Sequence, residues 1–386
     1  MGQRSLYRDP NLQIIFFVTL MAVLGVSSIT PAFPKIVREL NVSSQAIGLL
    51  ITVFTLPGVF LTPVLGVLAD RFGRKKILVP SLFLFGLAGG ACAFTQSFNV
   101  LLIFRFLQGV GAASLGSINT AIVGDLYSDK ERIVAMGYNA SVLSIGTATY
   151  PALGGTLAII GWNYPFFLPL MAIPVGVFVL LWLKNPEPEN KQSFKEYLKN
   201  ALQSVKNRQV IGLFIASIIT FIILYGPYLT YFPLLLGHSF AASSLVIGVL
   251  MSSMSLTTAL TASQLGKLSK IFSERTLIKA AFFLYSFALL LIPFVPKLWV
   301  FLVPTIIFGI AQGINIPHIQ TLLAGLAPME YRAAFMSING TVLRLGQTLG
   351  PVIMGIIFGF WGIEGVFYSG AGFSIAMFVI MLIIIR

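Results

Sequence analysis

Apolar runs of membrane-crossing length recur along the whole chain, and this limits the fold before any motif is read. A bilayer's hydrocarbon core takes about 20 residues of helix per crossing. Runs of that kind fall at 11–34, 45–69, 76–94, 98–124, 133–158, 163–183, 209–236, 243–265, 276–294, 298–324, 333–358 and 364–385. In hydrocarbon every backbone polar group must find an internal partner, so each run is expected to be a helix. A membrane β-barrel needs short segments of alternating polarity, and these runs are continuous. The supply of charge agrees. Charged residues make up 10% of the 386-residue chain and hydrophobic ones 57%, whereas a water-soluble domain carries about 25% charged residues. The expected fold is an all-α membrane protein of twelve transmembrane helices. The first run follows Arg4 and Arg8, is too long for a signal-peptide core and lacks a clear cleavage site, so it is expected to be retained.

Lysine and arginine set the orientation. With the N-terminus in the cytoplasm, twenty of the 25 Lys and Arg fall in inner segments, and only Lys35, Arg38 and Lys297 in outer loops. Arg105 and Arg344 lie within runs. Both termini are therefore expected to be cytoplasmic, in a prokaryotic cytoplasmic membrane. This placement accounts for the net charge of +13 without any nucleic-acid partner. Trp162, Trp299 and Trp361 fall at outer run ends and Trp182 at an inner one, as interfacial belts would have them. The single cysteine, Cys92, excludes an internal disulfide and a Cys-rich metal site, and its apolar surroundings point to a buried, inert thiol.

The one long connection, 184–208, begins Asn185-Pro186-Glu187-Pro188 and continues Lys-rich. It is expected to be a cytoplasmic linker lying on anionic lipid, between bundles 1–183 and 209–386. The two halves are related. At an offset of 200, Gly48, Leu65-Gly66, Gly109, Arg132, Asn139, Gly146, Pro151 and Gly155 fall on Gly248, Leu265-Gly266, Gly309, Arg332, Asn339, Gly346, Pro351 and Gly355. A duplicated unit of six spans inserts both copies with the same polarity. Two parallel six-helix bundles around a central cavity, rocking about a midplane site, follow from that.

The sharpest local signal is Gly66-Val67-Leu68-Ala69-Asp70-Arg71-Phe72-Gly73-Arg74-Lys75-Lys76, between spans 2 and 3. Basic residues there are ordinary topology signals, whereas an aspartate at the end of an apolar helix is not. The string closely resembles the signature loop of the major facilitator superfamily, G-x-L-A-D-R-x-G-R-K. Arg105-Phe106-Leu107-Gln108-Gly109-Val110-Gly111-Ala112-Ala113 in span 4 is similar to that family's R-x-x-Q-G-x-G-A-A. Gly146 to Gly155, with Pro151 and Gly154, looks like its antiporter motif G-x-x-x-G-P-x-x-G-G but has Tyr150 where the family has Gly. The second copy keeps Gly350-Pro351.

The resemblance covers essentially the whole chain and points to the twelve-span drug:proton antiporter branch. It implies a conformational latch of Gly66, Asp70, Arg71, Gly73, Arg74, Lys75 and Asp125, with Asp70 facing the start of span 11. In the second half Lys270 replaces the Asp and Ser273 the Gly, so a single latch is expected. The resemblance also ties Arg105 to proton coupling; the rival reading of Arg105 is a hydrogen-bond hub for neighbouring carbonyls. Arg344 matches no family motif. Near the midplane, it is expected either to meet an anionic group of a substrate or to be satisfied by Gln347 or Asn339.

Further cavity candidates are Gln108, Asn139, Gln312, Asn315 and His318, together with Tyr225, Tyr228 and Tyr231, which flank Gly226-Pro227 in span 7. That break is expected to expose backbone and aromatic faces. No Asp or Glu falls in the middle of a run. Cationic substrates usually meet a cavity carboxylate, so neutral or anionic compounds fit better. There is no Gly-Lys-Ser/Thr phosphate loop, metal-ligand cluster or nucleophile–base pair. The expectation is a monomeric secondary transporter in contact with membrane lipids, without a cofactor and not an enzyme. It would export a small organic or amphipathic compound by alternating access, driven by the proton gradient, with protons as the coupled partner. The alternatives are metabolite uptake or facilitated diffusion, a lipid or glycolipid flippase, and a transport-dead sensor or scaffold.

Overall fold

The computed structural model of the protein describes residues 6–184, 207–327 and 332–384. Residues 185–206, nearly all of the expected linker, lie outside the described residues. Apolar helices of membrane-spanning length run over Pro10–Glu39 (α1), Ala46–Phe72 (α2), Arg74–Phe94 (α3), Phe98–Leu126 (α4), Lys130–Ile160 (α5), Tyr164–Trp182 (α6), Arg208–Ser239 (α7), Ser244–Ser263 (α8), Glu274–Phe294 (α9) and Leu298–Leu326 (α10). The remainder, Arg332–Ile384, is one helical run broken only at Gly362. We number its parts α11 (332–361) and α12 (363–384). The sequence suggested a five-residue connection there. A single glycine at φ 66° and ψ −165° replaces it, a conformation that costs any other residue strain.

Each half is held together by close backbone approaches that only small residues allow. A side chain on Gly109 of α4 would strike the Phe54 carbonyl of α2, and one on Gly309 of α10 would strike the Met254 carbonyl of α8. These are the same contact 200 residues apart. Lys35, near the end of α1, donates Nζ to the carbonyls of Ala158 (3.1 Å) and Ile159 (3.2 Å), capping α5. Cations near a helix C-terminus satisfy its unpaired carbonyls and its dipole. Trp162 departs from the belt expectation. It is buried, edge-on to Phe166, while Trp182, Trp299 and Trp361 are exposed.

α1–α6 pack on one another, as do α7–α12. The halves meet along α5–α8 and α2–α11, with the far tip of α7 against α1. The contacts between them that can be located residue by residue, Gly155 with Ser244, Ala152 with Ser252, Gly48 with Pro351, Thr52 with Thr348 and Gly58 with Arg344, lie away from the Arg71–Lys76 loop. Toward that loop, which we call the basic end, the halves diverge. Added side-chain carbons at Gly66, Gly137, Gly266 and Gly340 would meet nothing within 4 Å.

Candidate functional site

The chain turns from α2 into α3 at Gly73, whose φ of 105° explains the glycine. The turn brings Arg74 back onto Asp70, with which it makes a close ion pair, while its Nε donates to Asp125 Oδ2 of α4 at 3.0 Å. Lys75 Nζ donates to the Leu183 carbonyl (3.2 Å), and Arg132 donates to Gly124 and Tyr127 carbonyls (2.8 and 3.0 Å), so basic residues here cap helix ends. Asp9 caps α1 and accepts from Tyr127 (2.7 Å); burial, then this carboxylate, holds the phenol above its ordinary range, so it remains the donor. Arg71 lies over Phe72, and Gly66 faces open space. Asp70 is thus paired inside its own half. Among the described residues no hydrogen bond or ion pair joins it to the start of α11, which it was expected to face. In the second half Ser273 takes ordinary extended angles (φ −67°, ψ 149°) and a separate short helix, Leu265–Ile271, intervenes, so the copied loop has a different shape.

Arg105 is wholly buried. Its Nε donates to the Leu50 carbonyl (3.1 Å), its Nη1 to Gln108 Oε1 (2.6 Å), and its guanidinium lies 4.2 Å over the Phe54 ring. Among the described residues no carboxylate pairs with it, and Nη2 has no partner. Arg344 has a different setting. It is partly exposed, with Nη1 3.2 Å from Gln347 Oε1 and its Cδ and Nε against Gly58 of the other half. Of the two residues expected to satisfy it, Gln347 does so, while Asn339 donates to Gln320 (2.8 Å).

The other polar candidates form networks within each half. Asn119 donates to Thr19 and the Ile15 carbonyl, and Thr19 donates to Asn139, linking α1, α4 and α5. Asn315 donates to Thr220 (2.6 Å), linking α10 to α7, and Gln312 accepts from Tyr285. His318 Nδ1 lies 2.6 Å from the Ile314 carbonyl, which can only accept, so Nδ1 carries a proton, and Nε2 lies 3.2 Å from Ser269 Oγ. Asn119 was not singled out from sequence. A lone Asn in mid-run was the available signal, since polar side chains there bond across helices.

The aromatic expectation for α7 is corrected. Tyr228 is stacked between Phe232 and Phe308, and Tyr231 against Phe358, both fully buried; only Tyr225 keeps partial exposure. Nor does Gly226-Pro227 expose backbone. Leu224–Tyr231 winds as a π-helix, Thr230 donates to the Tyr225 carbonyl (2.7 Å), and Gly226 is packed on Met354 and the Gly350 carbonyl. Proline removes a donor, and the wider turn finds other partners for the carbonyls.

The glycine-proline motif lies on the contact between halves. Gly154 faces the Ser28 carbonyl of α1, within its own half; Gly155 faces the Ser244 carbonyl of α8, in the other. Gly248 meets the Pro151 carbonyl, and Ala152 N–H donates to Ser252 Oγ (3.1 Å). Gly146 packs on Leu20 and Val23. At the α2–α11 edge Gly48 meets Pro351, Thr52 donates to the Thr348 carbonyl (3.2 Å), Thr55 bonds Thr348 Oγ1 (2.9 Å), and Gly355 approaches the Gln45 carbonyl. Gly350 packs on α7. The equivalence of Gly48–Pro351 and Gly248–Pro151 was present in the offset of 200. Cavities of about 390 Å³ and 570 Å³ at the far end, lined by Gln45 and Pro351 and by Phe94 and Phe104 respectively, touch neither arginine. The candidate site is therefore the cleft open at the basic end, with Arg344 where it closes.

Comparison with known proteins agrees with this geometry. The chain is 27% identical over 357 residues to Multidrug resistance protein 1 of Bacillus subtilis (strain 168), covering 91% of this chain and 90% of that one. It is 24% identical over 379 residues to Quinolone resistance protein NorA of Staphylococcus aureus (strain COL), covering 97% and 96%. A solved bacterial homologue of the human lysosomal transporter Spinster, inward-facing and unoccupied, has the same fold, with a TM-score of 0.81 at 18% identity over 98% of this chain and 95% of that one. The pattern of the Major Facilitator Superfamily matches residues 15–240 and 228–386, nearly the full length. The chain belongs to the major facilitator superfamily, a membrane transporter of small molecules and not an enzyme.

Proposed function

We propose that the protein exports a small organic or amphipathic compound, neutral or anionic, in exchange for protons, as a monomer in a bacterial cytoplasmic membrane. The observation that carries the reading is the one-sided contact of the halves. A cleft closed at one end and open at the other is one of the two states that alternating access requires. Export is supported by relatives named for drug resistance over about nine-tenths of both chains. The Lys and Arg distribution supports a cytoplasmic basic end, and in that orientation the described state is inward-open. Bundles 1–183 and 209–386 are the rocking units.

In this reading Asp70 is the latch. It sits on Arg74 while the basic end is open, and moves to the start of α11 when that end closes. A carboxylate at a helix N-terminus gains roughly 0.3–1 kcal/mol, up to about 2 when partly buried. Asp70→Asn keeps the shape and removes that gain. We expect insertion and folded yield at wild-type levels and flux lost, measured in proteoliposomes beside gel-filtration behaviour. Wild-type flux in this variant would remove the latch.

The reading as a whole is tested by flux in proteoliposomes with an imposed pH gradient and neutral, anionic and cationic lipophilic probes. Gradient-driven movement of neutral or anionic probes is expected. Movement that ignores the gradient would leave a facilitator on the same scaffold.

A further inference from the structure

We infer that Arg344 is an anion-recognition point at the closed apex of the cleft, taking the carboxylate, sulfonate or phosphate of an amphipathic substrate. This rests on the cleft being the transport pathway and goes beyond it by naming the charge it selects. The contacts between α2 and α11 form a ladder from the far end inward: Gln45 with Gly355, Gly48 with Pro351, Thr52 and Thr55 with Thr348, and Gly58 with Arg344. One helical turn further, at Gly340, an added carbon meets nothing within 4 Å. Arg344 is the last rung, where packed seam gives way to open cleft.

Its chemistry is unspent. A guanidinium has five N–H donors, and the bond from Nη1 to Gln347 uses one of them. Among the described residues no carboxylate lies on it; the ion pairs there are those of Arg74 with Asp70 and Asp125. The contrast is Arg105, equally cationic but wholly buried, under a ring and bonded to a carbonyl and Gln108. Beside Arg344 stands a further donor, the Gln347 amide. A cation in a span is costly and marks a ligand or ion path when unpaired. The fork suits a bidentate anion, and Gly58 gives it room to lie across the seam. At the position 200 residues earlier stands Ser144, so the cleft carries this cation on one side only.

The test needs no transport, so its failure is separable from failure of the export reading. Binding of 1-pyrenebutyrate, 1-pyrenebutanol and a pyrenebutyl trimethylammonium to the full chain in nanodiscs is measured above empty nanodiscs. The carboxylate is expected to bind about tenfold or more tighter than the alcohol, the size of one hydrogen bond to a charged group. Arg344→Gln is expected to erase that preference and Arg344→Lys to keep part of it. A second readout is independent of probe fit. In Cys92→Ala/Ser141→Cys, with the new thiol at an exposed position about three helical turns from Ala152, which bonds α8, a sulfonate methanethiosulfonate should react faster than its trimethylammonium counterpart, relative to their rates with free thiol. Arg344→Gln should cancel the bias. Equal binding of carboxylate and alcohol, or a labelling bias that survives Arg344→Gln, overturns the assignment.

Discussion

Gly155→Leu is expected to drive the protein out of the state whose far end is closed and to stop transport, while each half still folds. The reason is directional. A side chain at 155 enters the backbone of α8 at Ser244 and Leu245, in the opposite half, whereas one at 154 enters the Ser28 carbonyl of α1, in its own. Overpacking a fitted contact costs typically 1–3 kcal/mol. Two conformations of a transporter differ by only a few kcal/mol, so this changes their ratio by about five- to 150-fold. Spin labels at the far ends of α5 and α8 should report a longer separation in Gly155→Leu, with Gly248→Leu behaving alike because it strikes the Pro151 carbonyl across the same edge. Gly154→Leu should instead lower the yield of folded protein. Wild-type flux and spacing in Gly155→Leu would mean that the α5–α8 contact does not seal the far end.

The second large effect concerns Arg105, and its size depends on the replacement. Two hydrogen bonds from a buried cation hold the Leu50 carbonyl and Gln108, and the Phe54 ring covers the charge. Hydrogen bonds to a charged group contribute roughly 1.5–3 kcal/mol each. Arg105→Lys keeps the cost of a buried charge but cannot reproduce the planar fork, so it loses contacts with nothing in return. Arg105→Met loses the same contacts but sheds the desolvation cost of a buried charge, which offsets part of the loss. The ordinarily conservative lysine is therefore expected to be the less stable variant, by about 2 kcal/mol or more in detergent unfolding, and both are expected to lose flux. A lysine variant as stable as wild type would show that the fork is not what the site requires. If Met folds well and exchanges substrate without responding to a pH gradient, Arg105 belongs to proton coupling; if exchange is lost as well, it is the hub that positions α2 on α4.

Much of the fold was legible because hydrocarbon tolerates so few solutions. A run such as 276–294 has no alternative to a helix, and Glu274–Phe294 is one. The glycines at 109 and 309 were visible as a repeat, and the repeat is a repeated contact. The direction in which a side chain points was less legible. Tyr228 and Tyr231 flank a Gly-Pro break, and a break in a regular α-helix would have turned them toward the cleft. The π-turn absorbs the proline instead and leaves them stacked on Phe308 and Phe358. Adjacent glycines 154 and 155 carry no mark in sequence of which faces its own half, because that depends on the rotation of α5 between α1 and α8. The α11–α12 connection was missed for a related reason: one left-handed residue does the work of a loop, and hydropathy does not register φ.

The two edges on which the halves meet are copies in position but not in substance. The α5–α8 edge is mainly glycine against carbonyl, with the Ser252 hydroxyl on the Ala152 N–H as its one hydroxyl bond described above, so water gains less there when it parts. The α2–α11 edge is lined by Thr52, Thr55 and Thr348 and ends in Arg344, groups that water solvates as soon as it reaches them. Like a door with one dry jamb and one wet one, the closed end has an uneven resistance to being pulled apart. Wetting is expected to begin at the hydroxyl-lined side and run from the guanidinium outward, with the glycine-lined side as the axis about which the halves turn.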